Sequence, residues 1–206
     1  MSSPLFLVPL GLEARAVARG AGAVNVERIG MGPVKSTAAR VRVARRVTEG
    51  RPLVVLGVGG GLVTGMTPGD VVVATSVQIT SQELSIPLAY APEVAGLLRS
   101  AGLSVVEAPI ISSPKIISGE DERRDAAAFG AVAVDMESYW CAPLSARHPF
   151  AVVRVLLDTP EYELFSPRIP ATVLRAWKSL SSAARSLRAW SPITLNGVTL
   201  TEVGEA

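Results

Sequence analysis

The 206-residue sequence has one cysteine, Cys141, and one histidine, His148. A single cysteine excludes an internal disulfide and any cysteine-based metal centre, and a single histidine excludes a multi-histidine metal site. A Ser–His–Asp or Cys–His machine would have to use His148, which sits in Arg147-His148-Pro149 and reads as a surface-loop residue. Cys141 reads as a small buried hydrophobe. No run approaches the ~18 apolar residues of a membrane span. The N-terminal apolar run 5–8 stops at Pro9 and lacks the basic region of a signal peptide. Charge of one sign is also scarce: 20 Lys and Arg against 18 Asp and Glu leave +2. The lysines are Lys35, Lys115 and Lys178; the arginines are scattered, with no clustered basic face for nucleic acid. The expectation is a cytoplasmic protein that uses no metal or cofactor and has no nucleic-acid partner.

What is present fits one globular unit. Apolar residues make up 49% of the chain and charged residues 18%, enough for a sizeable core. At the usual ~150 residues per domain, one domain is the default. Short apolar runs at 5–8, 53–56, 71–74, 104–111, 131–134 and 151–157 read as buried strands, and 24–29 alternates like one. Helices are expected at 12–20, from Pro33 onward, and at 93–101, 120–129, 137–146 and 170–190. In the second of these, Ala38, Val41, Ala44 and Val47 space like one apolar face, with Arg40, Arg42, Arg45 and Arg46 solvated. Residues 76–92 and 112–119 read as loops. Asn196-Gly197 marks a small hairpin over 193–203. This alternation predicts an α/β protein: a single-domain three-layer sandwich over 1–206 with a central mixed, largely parallel sheet. Helix 170–190 and the hairpin are appendages to it.

Gly57-Val58-Gly59-Gly60-Gly61 follows a strand, yet it is not a dinucleotide fingerprint, because Leu62 stands where the third glycine is needed. No Gly-Lys-Ser/Thr or G-x-S-x-G occurs. Glycines at a strand's end still let backbone N–H groups approach a ligand. Three strand ends also carry carboxylates: Glu13, the Asp135-Met136-Glu137-Ser138 segment, and Asp158, with Arg154 on the same strand as Asp158. In an open α/β sheet such ends meet at one crevice. Singly, Glu13 and Glu137 also read as first-turn helix charges, Asp158 as a turn residue and Arg154 as an ion-pair partner. Together they suit a polyol and a leaving group handled by acid–base chemistry.

The segments IGMGPVKSTAA, VLGVGGGL, TPGDVVVA, VAVDMES and VVRVLLD, in this order, resemble the nucleoside phosphorylase/nucleosidase superfamily. That superfamily includes methylthioadenosine/S-adenosylhomocysteine nucleosidases, purine and uridine phosphorylases and futalosine hydrolases. Lys115-Ile116-Ile117 and Asp158-Thr159-Pro160 look most like its hopanoid-associated branch. The resemblance covers residues 5–165. It implies that Met136 packs on the ribose, that Glu137 accepts hydrogen bonds from ribose hydroxyls, that Arg154 also binds the ribose, and that Asp158 protonates the purine leaving group. It further implies Glu13 as activator of water, Gly57, Gly59, Gly60 and Gly61 lining base and sugar, and a homodimer. Phosphorylases of the family carry an arginine and a hydroxyl where this chain has Val55 and Val58, which removes charge-assisted bonds to a dianion. Lys35, Arg154 or Arg15 could supply cations from elsewhere. The expectation is a purine-nucleoside N-glycosidase using water and releasing adenine from an adenosylhopane-like or methylthioadenosine/S-adenosylhomocysteine-like compound. A phosphate-dependent phosphorylase and a non-catalytic nucleoside-binding protein are the alternatives. A lipid-linked substrate would suit membrane contact. Leu174, Trp177, Leu180, Ala184 and Leu187 form a stripe flanked by Arg175, Lys178, Arg185 and Arg188, which fits a membrane-surface helix or an ordinary core-facing one.

Overall fold

The computed structural model describes residues 3–79, 82–162 and 169–192. The chain runs β1 (Leu5–Val8), α1 (Gly11–Ala21), β2 (Val26–Arg28), α2 (Pro33–Arg46), β3 (Leu53–Gly61), β4 (Val71–Ile79) and β5 (Gln82–Pro87). It continues with α3 (Ala91–Ser100), β6 (Val105–Ser112), α4 (Glu120–Ala127), β7 (Ala133–Asp135), α5 (Ser138–Cys141), β8 (Phe150–Asp158) and α6 (Ile169–Leu187). The strands form one mixed α/β sheet in the order β2-β1-β3-β7-β6-β4-β5, with β8 paired to both β3 and β4. Parallel pairing joins β1 to β2 and β3, β3 to β8, and β6 to β4 and β7. The pairs β3–β7, β4–β5 and β4–β8 are antiparallel. Following the partners round, β3, β8, β4, β6 and β7 return to β3, so five strands close into a ring.

Helices cover both faces, which explains why the central strands read as unbroken apolar runs. Phe6, Val54, Leu56, Val71 and Val153 face α1, α3 and α6, while Leu7, Leu53, Val55, Val72 and Val152 face α2 and α5. The α6 stripe lies against that first face: Leu180, Ala184 and Leu187 are fully buried and only Leu174 is well exposed. The core-facing reading of this helix therefore holds for Leu180, Ala184 and Leu187. A Cβ at Gly20 would collide with the Ser181 carbonyl, so glycine is what lets α1 lie close on α6. Among the described residues no helix is long and apolar enough to cross a membrane.

Several expectations are corrected. The buried face of α2 is Ser36, Ala39 and Val43, whereas Ala38, Val41 and Ala44 are exposed. Pro33 begins that helix and fixes its phase, and the small Ser36 and Ala39 allow close packing. Residues 76–87 are largely sheet, because β4 continues past Ala74 and turns back as β5; their polar composition hid the alternation. Helix 137–146 is one α-turn followed by a 3-10 segment, Ala142–Ala146. His148 is buried, with Nδ1 3.0 Å from the Arg51 carbonyl, where it holds the chain leading into β3. Cys141 is buried as expected, and burial raises its thiol pKa to about 12. The 193–203 hairpin lies outside the described residues.

Candidate active site

At the carboxyl ends of β1, β3 and β8 lies a cleft of ≈ 200 Å³. Pro9, Leu10 and Glu13 line it from the β1–α1 junction, Val58, Gly59 and Gly60 from β3, and Leu157 and Asp158 from β8. Asp135, Met136 and Glu137 arrive differently from the expected convergence of strand ends. Strand β7 runs antiparallel to β3, pairing Gly60 with Val134, and lays these residues back along β3. The segment after β6 adds Lys115, Ile116 and Ile117, and the turn before α2 adds Met31. Among the sequence-derived candidates, Glu13, Met136, Glu137, Asp158, Gly59 and Gly60 line the cleft; Arg154, Gly57 and Gly61 do not.

Glu13 sits in the first turn of α1, only 1% exposed. Its Oε1 accepts from the Val58 N–H at 2.8 Å and its Oε2 from the Leu10 N–H at 2.7 Å. Burial raises its pKa above the usual carboxylate value despite these two bonds and the nearby Arg154. The residue thus caps α1 and faces the cleft, so its helix-terminal and site readings are compatible.

Glu137 is 3% exposed. Its Oε1 accepts from the Gly32 N–H at 3.2 Å and its Oε2 from Arg154 Nη2 at 3.2 Å. Gly32, the N-cap of α2, has φ +84°, a left-handed conformation that glycine adopts without strain. Burial is the largest influence on Glu137; with Asp135 beside it, this outweighs Arg154 and raises the pKa to about 7.

Arg154 lies fully buried beneath the cleft as an ion-pair partner of Glu137. Its Nε donates to Asp135 Oδ2 at 2.7 Å, and Nη2 lies 2.6 Å from the same oxygen. Burial works against its charge, but Asp135, Glu137 and Glu13 more than restore it, and its pKa is raised. Among the described residues Nη1 has no hydrogen-bond partner. A Cβ on Gly57 would stand 2.6 Å from that Nη1 and 3.0 Å from Glu13 Oε1, so Gly57 makes room for these two groups to approach. Asp135, which sequence reasoning passed over as the neighbour of Met136, anchors the network. It accepts from the hydroxyls of Ser112 and Ser138 and from the Glu137 and Ser138 N–H groups.

Asp158 ends β8 and pairs through Oδ2 with Arg123 of α4, which also donates to the Gly61 carbonyl. Arg123 was missed as well, because it lies in Glu120-Asp121-Glu122-Arg123-Arg124-Asp125, a run that reads as a solvated helix face. A wider groove of ≈ 680 Å³ along α1 and β2 shares Leu10 with the cleft but contains no carboxylate. Arg15 lines that groove, and Lys35 lies over Gly30; neither lines the cleft. Val55, one of the two valines at phosphorylase positions, is fully buried, while Val58 faces the cleft.

The mixed sheet thus places two buried glutamates and an aspartate around one cleft. The match to the family model for the phosphorylase superfamily spans residues 12–168, and the chain belongs to that superfamily. No curated protein sequence matches it. Among solved structures, futalosine hydrolase of Helicobacter pylori strain 26695 is similar at TM-score 0.73 and 17% identity, over 90% of this chain and 97% of that one. 5'-Methylthioadenosine/S-adenosylhomocysteine nucleosidase from Neisseria meningitidis, in complex with methylthio-immucillin-A, gives TM-score 0.74 and 14% identity, over 91% and 98%. The Streptococcus pneumoniae MTA/SAH nucleosidase, in complex with 8-aminoadenine, gives 0.71 and 16%, over 91% and 100%. These likenesses establish the fold.

Proposed function

We propose that this protein is an N-glycosidase that hydrolyses purine nucleosides and releases an adenine-type base. The observation that carries the reading is the composition of the cleft. It brings Glu13, Glu137 and Asp158 together, and among the described residues its only lining cation, Lys115, is tied to Glu122 at 2.5 Å. A phosphate nucleophile would need cations facing it, whereas Arg154 is engaged by Asp135 and Glu137. A water nucleophile needs one carboxylate to take its proton.

In this mechanism Met136 packs on the ribose, and Glu137 accepts hydrogen bonds from its hydroxyls, placing negative charge near C1′ as the glycosidic bond lengthens. The N9–C1′ electron pair passes to the base while the Asp158 carboxyl delivers a proton to N7. Water attacks C1′ and gives its proton to Glu13, which burial makes a stronger base than an ordinary carboxylate. The products are the free base and the free sugar. Exposed Leu10, Met31 and Ile116 at the cleft mouth support an apolar 5′ substituent, as in methylthioadenosine-like or adenosylhopane-like compounds.

The test is release of base from adenosine, methylthioadenosine, S-adenosylhomocysteine, inosine and futalosine, each with and without phosphate. Release independent of phosphate, lost by about 100-fold or more in Asp158→Asn, is the expected result. Release that requires phosphate would make the protein a phosphorylase, and tight binding with no release would make it a binding protein.

A further inference from the structure

We propose that Arg123 is a positioning residue for departure of the base. It grips Oδ2 of Asp158 and fixes the carboxyl against the cleft wall; the inference rests on the N-glycosidase reading. Arg123 is 3% exposed on a helix whose neighbouring Asp121, Arg124 and Asp125 face solvent. Its two terminal nitrogens are committed to Asp158 and to the Gly61 carbonyl, while Nε is buried with no partner among the described residues. Burying a guanidinium with one donor unsatisfied is costly, and an apolar residue would serve better if the position only filled space. What the guanidinium does is orient the carboxyl. With Oδ2 held, Oδ1 comes to rest 3.3 Å from where a Cβ on Gly60 would stand, and Gly60 lines the cleft.

The residue before it strengthens the case. Glu122 accepts from Lys115 Nζ at 2.5 Å and from the Ser118 N–H at 3.0 Å, so it ties down the segment that places Lys115, Ile116 and Ile117 on the cleft. One turn of α4 therefore holds both the cleft's covering segment and its acid. When the Asp158 proton passes to N7, the carboxylate left behind lies against a cation that needs no reorganisation to stabilise it. Arg123 does not line the cleft, so its action passes through Asp158.

Arg123→Met, Asp158→Asn and the double variant are to be assayed on a purine nucleoside and on 4-nitrophenyl riboside, whose leaving group departs without protonation. We expect R123M to lose about 10- to 100-fold in kcat on the nucleoside, with KM little changed, and less than about 3-fold on the nitrophenyl substrate. Adding R123M to D158N should cost less than about 2-fold more, because both act through one group. R123K, which keeps a cation, should recover part of the rate; it also carries the comparison if R123M fails to fold. Equal losses on the two substrates, additive losses in the double variant, or no loss at all would overturn the proposal. A wild-type protein that releases no base from any nucleoside would sink the glycosidase reading instead, and is read before any variant.

Discussion

Glu137 answers to two opposed demands. In the proposed mechanism it must accept from ribose hydroxyls as a carboxylate, yet burial raises its pKa to about 7. Below the ordinary value of 4.5 the group is protonated in both the folded and the unfolded chain, and the stability contributed by the buried neutral acid is fully present. As pH rises through about 7 the folded protein must ionise it in place, and that stability is lost. Wild type and Glu137→Gln should therefore unfold at similar urea concentrations at low pH. The variant should be more stable by on the order of 1–3 kcal/mol at alkaline pH, even as its base release collapses. A stability gap that does not change with pH would rule this out. Glu13 is shifted in the same direction, so its contribution has the same sign. Activity should run the other way, with kcat/KM rising as Glu137 ionises.

Strand β3 shows what the glycine-rich segment does. Gly59 and Gly60 face the cleft, but Gly57 and Gly61 serve clearance: Gly57 for Arg154 and Glu13, Gly61 for Leu156 and Thr159. A Cβ on Gly59 would come within 2.9 Å of the Val134 carbonyl, so this glycine also admits β7 to its pairing with β3. Gly57→Ala is expected to destabilise the protein by about 1–3 kcal/mol and to lower activity at least 10-fold, since the clamped Arg154 has little room to yield. Thermal melts beside base-release assays check this; full activity would show that the guanidinium moves aside cheaply. The glycine run and the apolar strand around it were visible in the sequence, and so were the Met136-Glu137 pair and Asp158. The clearance role was not, because it depends on Arg154 arriving from a strand far along the chain. Arg123 was hidden for a related reason: on a charged helix nothing local distinguishes the one arginine that turns inward from its neighbours. The face of α2 was misjudged because Ala38, Val41 and Ala44 keep helical spacing whichever side is buried.

For the whole molecule, the order of strands and helices and their coverage on both faces could be read from apolar periodicity. Closure of the strands could not, since pairing partners are chosen by tertiary geometry. That closure governs how the protein comes together. Leu53 pairs with Leu5 on one side and Phe150 on the other, and residues 53–56 are fully buried. Such distant pairings make folding slow, with loop entropy lost before the contacts that offset it form. The amides of residues 53–56 should exchange with deuterium only through global unfolding, in contrast to those of α4, and faster local exchange would show that the strands can part separately. Glu13 and Asp158 lie far apart in the chain and meet at one cleft only once β8 has paired with β3. On the proposed mechanism, a chain still emerging from the ribosome would lack the Asp158 acid beside Glu13 and would stay inert towards nucleosides until β8 is in place.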